Sequence, residues 1–263
     1  MTVTISALKL DYVKAGGEIV GFIRKTVKEA GAKGAVVGLS GGVDSAVVGA
    51  LCVKALGKER VVTILMPSES TPKEDIEDAT TLSESWGVRT FKSDISPIAS
   101  RFFSAIDLDG DKVARGNSHA RIRMTMSYYV ANVLNLLVAG TGDRSEDLLG
   151  FFTKHGDGGV DFLPIAHLYK SQVRELAGHL GLPERVVTKP SSPRLWPGHL
   201  AADELPADYD TLDVVLYCLF DEKMSPARAA AESGVGRGIV DAVLKKYRES
   251  AHKRAYPPMV KPW

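Results

Sequence analysis

Apolar positions along the chain follow two alternating patterns, one typical of helices and one typical of buried strands. Residues 10–30 carry apolar side chains at the three- and four-residue spacing of an amphipathic helix, which Gly31 ends. Short apolar runs typical of strands occupy residues 35–39, 60–66, 88–93 and 136–140. Helical patterns separate these runs at residues 44–56, 72–86, 97–106 and 117–132. The alternation predicts an α/β fold: a doubly wound, mostly parallel sheet with helices on both faces.

The pattern changes after residue 150. Residues 151–164 are rich in glycine, and further helical patterns follow at 169–180, 211–220 and 236–248. Residues 188–208, dense in proline, glycine and acids, predict a long loop that is either functional, for example a lid, or disordered. No internal repeat and no domain linker is evident, so we expect a single domain over residues 1–263.

Composition limits the classes of partner. The 263 residues include 33 Lys and Arg against 32 Asp and Glu, a formal net charge of +1. This balance favours neither a nucleic acid nor a membrane as partner, so any anion site must be local. Residues 124–140 are the most apolar helical stretch, but Ser127, Asn132 and Asn135 interrupt it. We therefore expect a buried helix and strand there rather than a membrane span.

Cysteine usage and the first residues indicate the compartment. Cys52 and Cys218 lie far apart in apolar runs, which favours packing roles in a reducing environment over a disulfide. No uninterrupted apolar segment of a signal peptide occurs near Met1, so we expect a cytoplasmic protein. Residues 107–111 carry spaced acids but lack the twelve-residue loop of an EF-hand, so a solvated turn is expected rather than a calcium site.

Residues 40–45 have the sequence Ser-Gly-Gly-Val-Asp-Ser, where a predicted strand meets a predicted helix. Two glycines allow backbone N–H groups to surround anionic oxygens, and the helix N-terminus adds partial positive charge. The Ser40 and Ser45 hydroxyls are further potential donors. Asp44 would repel a phosphate unless a divalent cation lay between them, which predicts Mg²⁺. The alternative is that Asp44 only stabilises the helix N-terminus.

This hexapeptide resembles the SGGxDS loop of the N-type ATP pyrophosphatases, which holds the pyrophosphate of ATP while a substrate is adenylylated. Further motifs resemble the ammonia-dependent NAD synthetases. They are Ala120 to Met124, Gly140 to Glu146, Gly150 to Asp161, Leu168 to Leu176, Lys189 to Ser192, Leu195 to Gly198 and His252 to Arg254. The resemblance runs through most of the chain and implies a Rossmann-like fold of the adenine nucleotide hydrolase type.

The resemblance implies synthesis of NAD from its deamido form, nicotinic acid adenine dinucleotide. ATP adenylylates the carboxylate, pyrophosphate leaves, and ammonia displaces AMP. Glutamine-using NAD synthetases carry an additional glutaminase domain, for which this chain has no residues left. Free ammonia is therefore the expected nitrogen source, unless a separate subunit delivers it.

Residue roles follow from the same resemblance. The implied catalytic residues are Asp44, Ser45 and Glu146, of which Asp44 and Glu146 would bind Mg²⁺. The implied ATP-binding residues are Gly38, Leu39, Ser40, Gly41, Gly42, Val43, Asp44, Ser45, Thr141, Lys170 and Ser192. The implied deamido-NAD-binding residues are Arg121, Lys154, Asp161, His252 and Lys253. One departure is Arg144-Ser145, where relatives often have two alanines before the glutamate.

Without the resemblance, alternatives stay open for these residues. Arg121 and Arg123 would suit a solvated helix, Lys154 and Asp161 a solvated loop, and Lys170 an ordinary surface position. The cluster at 252–254 would suit a basic chain segment. No pair among the six histidines has the spacing of zinc ligands.

The resemblance also suggests a homodimer, with residues 124–138 as the candidate interface, although a buried helix would have the same pattern. Two other functions stay open. One is an ATP pyrophosphatase that acts on a nucleobase or RNA base, which the near-neutral charge and the lack of a sulfur-carrying cysteine pair disfavour. The other is a nucleotide sensor without turnover, which the separated acids Asp44 and Glu146 disfavour.

Overall fold

The computed structural model describes residues 2–106 and 108–260, and its centre is a four-stranded parallel sheet. The strands are β1 (Gly34–Gly38), β2 (Val61–Leu65), β3 (Arg89–Lys92) and β4 (Leu136–Ala139). Their order across the sheet is β3-β2-β1-β4. The chain moves outward from β1 to β3 and then returns to the other side of β1, which makes the β1/β4 boundary a topological switch point. The predicted doubly wound, parallel sheet is confirmed.

Helices cover both faces of this sheet. They are α1 (Tyr12–Glu29), α2 (Val43–Leu56), α3 (Lys73–Trp86), α4 (Ser96–Ser104), α5 (Lys112–Leu134), α6 (Arg144–Leu149), α7 (Lys170–His179), α8 (Glu184–Val187), α9 (Tyr209–Leu216), α10 (Pro226–Ser233), α11 (Arg237–Glu249) and α12 (Ala251–Arg254). Short 3₁₀ segments lie at Ile5–Leu8, Lys58–Arg60 and Ala201–Asp203, and a π-helical turn at Tyr217–Asp221 continues α9.

Side chains of the central strands alternate between the two faces because a strand has a period of two residues. Val36 pairs in register with Val62 of β2 and Val138 of β4, and these three valines pack with Ala131 of α5. Ala35 and Val37 point to the opposite face, into the core formed with α1, α2 and α7. Burial on both faces explains why β1 and β2 are short, nearly continuous apolar runs, whereas β3 at the edge of the sheet is mostly exposed.

Residues 124–140 form the second half of α5 and β4, as predicted, but α5 is buried on one face only. Ala131 is 1% exposed, whereas Tyr129 and Val133 are 71% and 65% exposed. Within residues 2–106 and 108–260, no helix has the length and apolar character needed to cross a membrane. Both cysteines are buried and unpaired, as expected, and burial raises the pKa of the Cys52 thiol to about 12.

Several boundaries differ from the sequence predictions because capping residues, rather than apolar spacing, determine them. Helix α5 begins earlier than predicted, since Asp111 accepts a hydrogen bond from the Ala114 N–H at 2.8 Å. Ser225 caps α10 in the same way, and the apolar pattern does not predict that helix. Asp107 lies outside the described residues, and residues 108–111 form an exposed segment before α5.

The C-terminal helices have their own core beside the sheet. Leu212 and Leu216 of α9 pack with Val240 and Val243 of α11, and with residues of α6 and α10. The predicted long loop at 188–208 contains only the 3₁₀ segment Ala201–Asp203 among its described elements. It lies over the carboxyl ends of the strands, where Lys189 and Arg194 contact α3.

Candidate active site

A cavity of about 540 Å³ lies at the carboxyl ends of β1, β2 and β4. Its walls come from the loop after β1, one face of α5, the first residue of α7 and the loop at 189–196. Ligands of open α/β sheets bind at this edge, beside the switch point. The cavity is therefore the candidate site.

The loop at 40–45 is closed by its two serines. The Ser40 N–H donates to Ser45 Oγ at 3.1 Å, and Ser45 Oγ donates to the Gly42 carbonyl at 3.1 Å. The Gly42 N–H donates to Ser40 Oγ at 3.3 Å. Gly41 has a φ of +80°, and a Cβ there would lie 2.2 Å from the Asp75 carbonyl oxygen of α3. Backbone conformation and close packing thus both require glycine at position 41.

Lys170 lies at the centre of a carboxylate cluster. Its Nζ is 2.7 Å from Asp44 Oδ1, 2.8 Å from Asp143 Oδ2 and 2.8 Å from Glu146 Oε1. Asp44 is on the first turn of α2, Asp143 and Glu146 begin α6, and Lys170 begins α7, so three helix N-termini converge. The Lys170 side chain is 0% exposed. The alternative of a surface cation is wrong.

Burial dominates the electrostatics of this cluster. It raises the pKa of Asp143, and it raises that of Glu146 well above its usual range, with Lys170 partly opposing both shifts. Burial alone would lower the pKa of Lys170, but the three carboxylates raise it above its ordinary value. Three carboxylates and one ammonium leave two negative charges uncompensated when all four are ionised. A cation bound beside these acids would compensate that charge and favour their ionised forms.

The donor set fits magnesium held together with a nucleotide. In the described parts of the chain, no group of three or more His, Cys, Asp or Glu side chains is arranged to hold a metal ion by itself. Mg²⁺ at nucleotide sites usually takes one or two carboxylates and completes its shell with phosphate oxygens and water. Asp44 and Glu146 both line the cavity and supply such a pair.

The structure brings most of the predicted ATP-binding residues to this cavity. Its walls include Gly38, Leu39, Ser40, Gly42, Val43, Asp44, Ser45, Thr141, Lys170 and Ser192, together with Glu146. Gly41 instead backs onto α3. The Ser192 hydroxyl donates to the His199 carbonyl and accepts from the Arg194 N–H, which fixes the covering loop locally.

The residues predicted to bind the dinucleotide are less closely grouped. Lys253 lines the cavity and donates to the carbonyls of Gly150 at 2.7 Å and Phe152 at 2.6 Å. Beside it, Lys154 Nζ donates to the His252 carbonyl at 2.8 Å, and Arg121 donates to the Lys154 carbonyl at 3.3 Å. Arg121, Lys154 and His252 therefore lie next to Lys253 but are not among the residues that line the cavity.

Asp161 is not brought to the cavity. Its carboxylate accepts hydrogen bonds from the Tyr128 hydroxyl at 3.0 Å and the Val138 N–H at 2.7 Å, so it fixes the segment beside β4. Asp161 is nevertheless exposed, so it is a solvated loop residue with two hydrogen-bond partners in its own chain.

Several side chains of the site were not assigned from the sequence, among them Asp143 and Arg123. Asp143 caps α6 by accepting from the Glu146 N–H at 2.8 Å, and the spacing of an acid three residues before a glutamate was the available signal. Arg123 lines the cavity and donates to the Met66 carbonyl at 2.9 Å and to Ser68 Oγ at 3.2 Å. Burial lowers the pKa of Arg123 to about 10, so it is not a solvated helix charge.

A family model described as NAD synthase matches residues 16–257. The chain belongs to the NAD synthase family. It is 52% identical over 264 residues to an NH₃-dependent NAD⁺ synthetase of Hyperthermus butylicus, covering 100% of this chain and 96% of the relative. The resemblance inferred from the motifs is thereby confirmed.

Solved structures of NAD synthase relatives share the fold. An NH₃-dependent NAD synthetase from Campylobacter jejuni has a TM-score of 0.82 at 30% identity, with 96% of this chain and 100% of that chain covered. An NMN synthetase from Francisella tularensis has a TM-score of 0.86 at 30% identity, with 96% and 99% covered.

Proposed function

We propose that this chain converts deamido-NAD to NAD with ATP and ammonia. An oxygen of the nicotinate carboxylate bonds to the α-phosphorus of ATP, and the bond to pyrophosphate breaks. Ammonia then bonds to the carbonyl carbon, AMP leaves and a proton is released, so the products are NAD, AMP and pyrophosphate. The observation that carries the proposal is the convergence of Asp44, Glu146 and Lys170 beside the loop at 40–45 in one cavity.

Catalysis then depends on positioning and on charge neutralisation, because the substrate's own carboxylate is the nucleophile. In this proposal the N–H groups of residues 40–45 bind the pyrophosphate, while Thr141, Lys170 and Ser192 contact the rest of ATP. Apart from Gly41, these residues all line one cavity, which supports this part of the proposal.

The proposal includes Mg²⁺ held by Asp44 and Glu146. When bound, the ion would supply positive charge beside the phosphates and stabilise departing pyrophosphate. The three carboxylates that Lys170 alone cannot neutralise support this role. Lys170 remains close enough to both acids to keep them oriented.

For the dinucleotide, the proposal uses Lys253 at the cavity wall and Arg121, Lys154 and His252 next to it. Asp161 is proposed as a further contact of the dinucleotide, although its carboxylate also accepts hydrogen bonds from Tyr128 and Val138. Further parts of the proposal are a homodimer formed through α5 and a cytoplasmic location, which the two unpaired buried cysteines support.

An endpoint assay tests the reaction. The protein is incubated with ATP, Mg²⁺ and deamido-NAD, with either ammonium or glutamine, and NAD, AMP and pyrophosphate are quantified separately. We expect equal amounts of the three products with ammonium alone. Formation of ADP, or intact ATP with both nitrogen sources, would contradict an adenylylating amide ligase.

A second substrate sharpens the assay. The similarity to the Francisella NMN synthetase makes nicotinic acid mononucleotide the appropriate competitor. We expect higher kcat/KM for deamido-NAD. A preference for the mononucleotide would keep the reaction type but overturn the proposed substrate.

A further inference from the structure

A buried carboxylate on α9 has no part in the proposed chemistry, although it contacts two helices of the site. Asp213 is fully buried. Its Oδ1 accepts a hydrogen bond from Ser145 Oγ of α6 at 2.5 Å, and its Oδ2 accepts one from the Ser171 N–H of α7 at 2.8 Å. One carboxylate thus joins the beginnings of α6 and α7.

These bonds flank the two charged residues of the cluster. Ser145 precedes Glu146, and Ser171 follows Lys170. A third hydrogen bond joins α6 and α7 directly, since the Lys170 N–H donates to Ser145 Oγ at 2.9 Å. The first N–H groups of a helix have no partner within it, so for α7 they are satisfied by Ser145 and Asp213. The backbones that carry Glu146 and Lys170 are therefore held relative to each other.

Helix α9 makes a second contact with the same lysine. Tyr209 precedes Asp213 by one helical turn and lies on the same face. The Lys170 Nζ lies 5.3 Å from the centre of the Tyr209 ring, and Tyr209 lines the cavity. One face of α9, a helix of the C-terminal core, thus contacts both the ammonium group of Lys170 and, through Asp213 and Ser145, its backbone.

We propose that Asp213 is a positioning residue for ATP activation, which holds Glu146 and Lys170 in the arrangement that the phosphates and the metal require. Asp213 is not among the residues that line the cavity, so it would act through Glu146 and Lys170. This inference rests on the proposed function. Small displacements of positioning groups reduce rates strongly, by up to about 100-fold for about 1 Å.

The test is Asp213→Asn in the full chain. The amide keeps the size of the side chain but removes its charge and presents only one acceptor oxygen, so the Ser145 hydroxyl and the Ser171 N–H can no longer both donate to it. We expect kcat to fall roughly 10- to 100-fold and the affinity for ATP with Mg²⁺, measured by calorimetry, to weaken about tenfold. The KM for deamido-NAD should stay within about twofold, because its proposed contacts lie on other segments.

The matched control is Asp210→Asn on the same helix. The Asp210 side chain is 66% exposed and pairs with Arg174 at 3.6 Å, so we expect kcat and ATP affinity within about twofold of the wild type. Folded fractions from near-UV circular dichroism correct every rate. If that correction removes the whole loss in Asp213→Asn, or if kcat and ATP affinity are unchanged, the inference is overturned.

Ser145→Ala supplies an independent variant. Because Ser145 and Asp213 act through one bond, the double variant should be no slower than about the slower single variant. Multiplicative losses would contradict the inference. Failure of the wild type to form NAD would instead contradict the proposed function, and the calorimetric comparison would still decide the role of Asp213.

Discussion

Gly41 allows the loop at 40–45 to lie directly against the first turn of α3. Its φ is +80°, and any Cβ at this position would lie only 2.2 Å from the Asp75 carbonyl oxygen, which leaves no room for a side chain. We expect Gly41→Ala to lower the free energy of unfolding by about 2–5 kcal/mol, from backbone strain and overpacking together. ATP binding should be lost with the loop geometry. Urea unfolding and ATP titration measure both effects.

Gly57→Ala is the matched control for this prediction. Gly57 has a nearly identical φ of +81°, but nothing lies within 4 Å of a Cβ there. Only the strain should remain, about 1–3 kcal/mol, with ATP binding retained. Equal losses of stability in the two variants would show that the contact with α3 has no importance.

Asp44 is the residue whose charge the proposed magnesium role needs most directly. We expect Asp44→Asn to lose amide synthesis by several orders of magnitude while the fold stays intact, because only a cavity-lining carboxylate with 22% side-chain exposure changes. Asp11→Asn, at the N-terminus of α1 and away from the cavity, should leave turnover unchanged. Turnover near the wild-type rate at saturating Mg²⁺ would refute the metal role.

The titration of Asp213 predicts a pH dependence of stability. Burial raises its pKa from 3.8 to about 6, so between these values the folded protein binds more protons than the unfolded chain. The contribution of Asp213 to the free energy of unfolding is therefore most favourable at about pH 4. It becomes less favourable as the pH rises through about 6, by up to about 3 kcal/mol in total. Asp213→Asn cannot titrate, so the difference in unfolding free energy between the two proteins should change over this window. Urea unfolding at pH 4 to 7 measures it, and a constant difference would contradict the prediction.

At this scale the sequence indicated residue types better than contacts. The loop at 40–45 and the acids at 44 and 146 were recognisable from motifs. The position of Lys170 among three carboxylates was not, because those contacts form only where α2, α6 and α7 meet across the sheet. Asp161 is a second example. Its partners Tyr128 and Val138 are also remote in sequence, so its hydrogen bonds could not be predicted.

At the scale of elements, the loop at 188–208 contacts both α3 and the loop at 40–45. Lys189 Nζ donates to the Gly41 carbonyl at 3.0 Å and pairs with Asp75 at 2.8 Å and Asp78 at 2.5 Å. We expect Lys189→Met to accelerate amide hydrogen exchange in residues 189–205 and to raise the KM for ATP severalfold, because two buried carboxylates lose a partner.

Arg185→Met is the comparison variant for the loop. Arg185 pairs with Asp78 at 2.6 Å, but its side chain is 57% exposed and it lies on α8 rather than in the loop. Exchange in residues 189–205 should change much less than in Lys189→Met. Unchanged exchange in Lys189→Met would show that the loop is held by other contacts.

Element length decided which helices the sequence predicted. Long amphipathic helices such as α1 and α3 were found within a few residues of their bounds, because apolar periodicity is visible over several turns. Helix α6 has six residues, too few to show a period, and only the capping pair Asp143 and Glu146 marks its start. The short helices α8 and α12 were missed for the same reason.

For the whole molecule, the alternation of strands and helices was sufficient to predict the sheet but not its attachment to the C-terminal helices. Those helices pack into a separate core around Leu212 and Val240. Through Tyr209 and Asp213, helix α9 connects this core to the lysine and carboxylate cluster. Such contacts join positions far apart in the chain, and no local sequence pattern predicts them.

The assembly of the whole molecule gives the last prediction. Tyr129 and Val133 lie four residues apart on the exposed face of α5, at 71% and 65% exposure, while the other face packs on β1 and β4. We expect light scattering after size exclusion to give roughly 57 kDa, twice the 28.3 kDa of one chain. Glutamates at both positions, Tyr129→Glu with Val133→Glu, would place like charges at the symmetric contact and should give monomers. Val13→Glu changes a residue of 70% exposure on α1 and should remain dimeric. A monomeric wild type would refute the dimer, and a dimer that survives both glutamates would refute α5 as its interface.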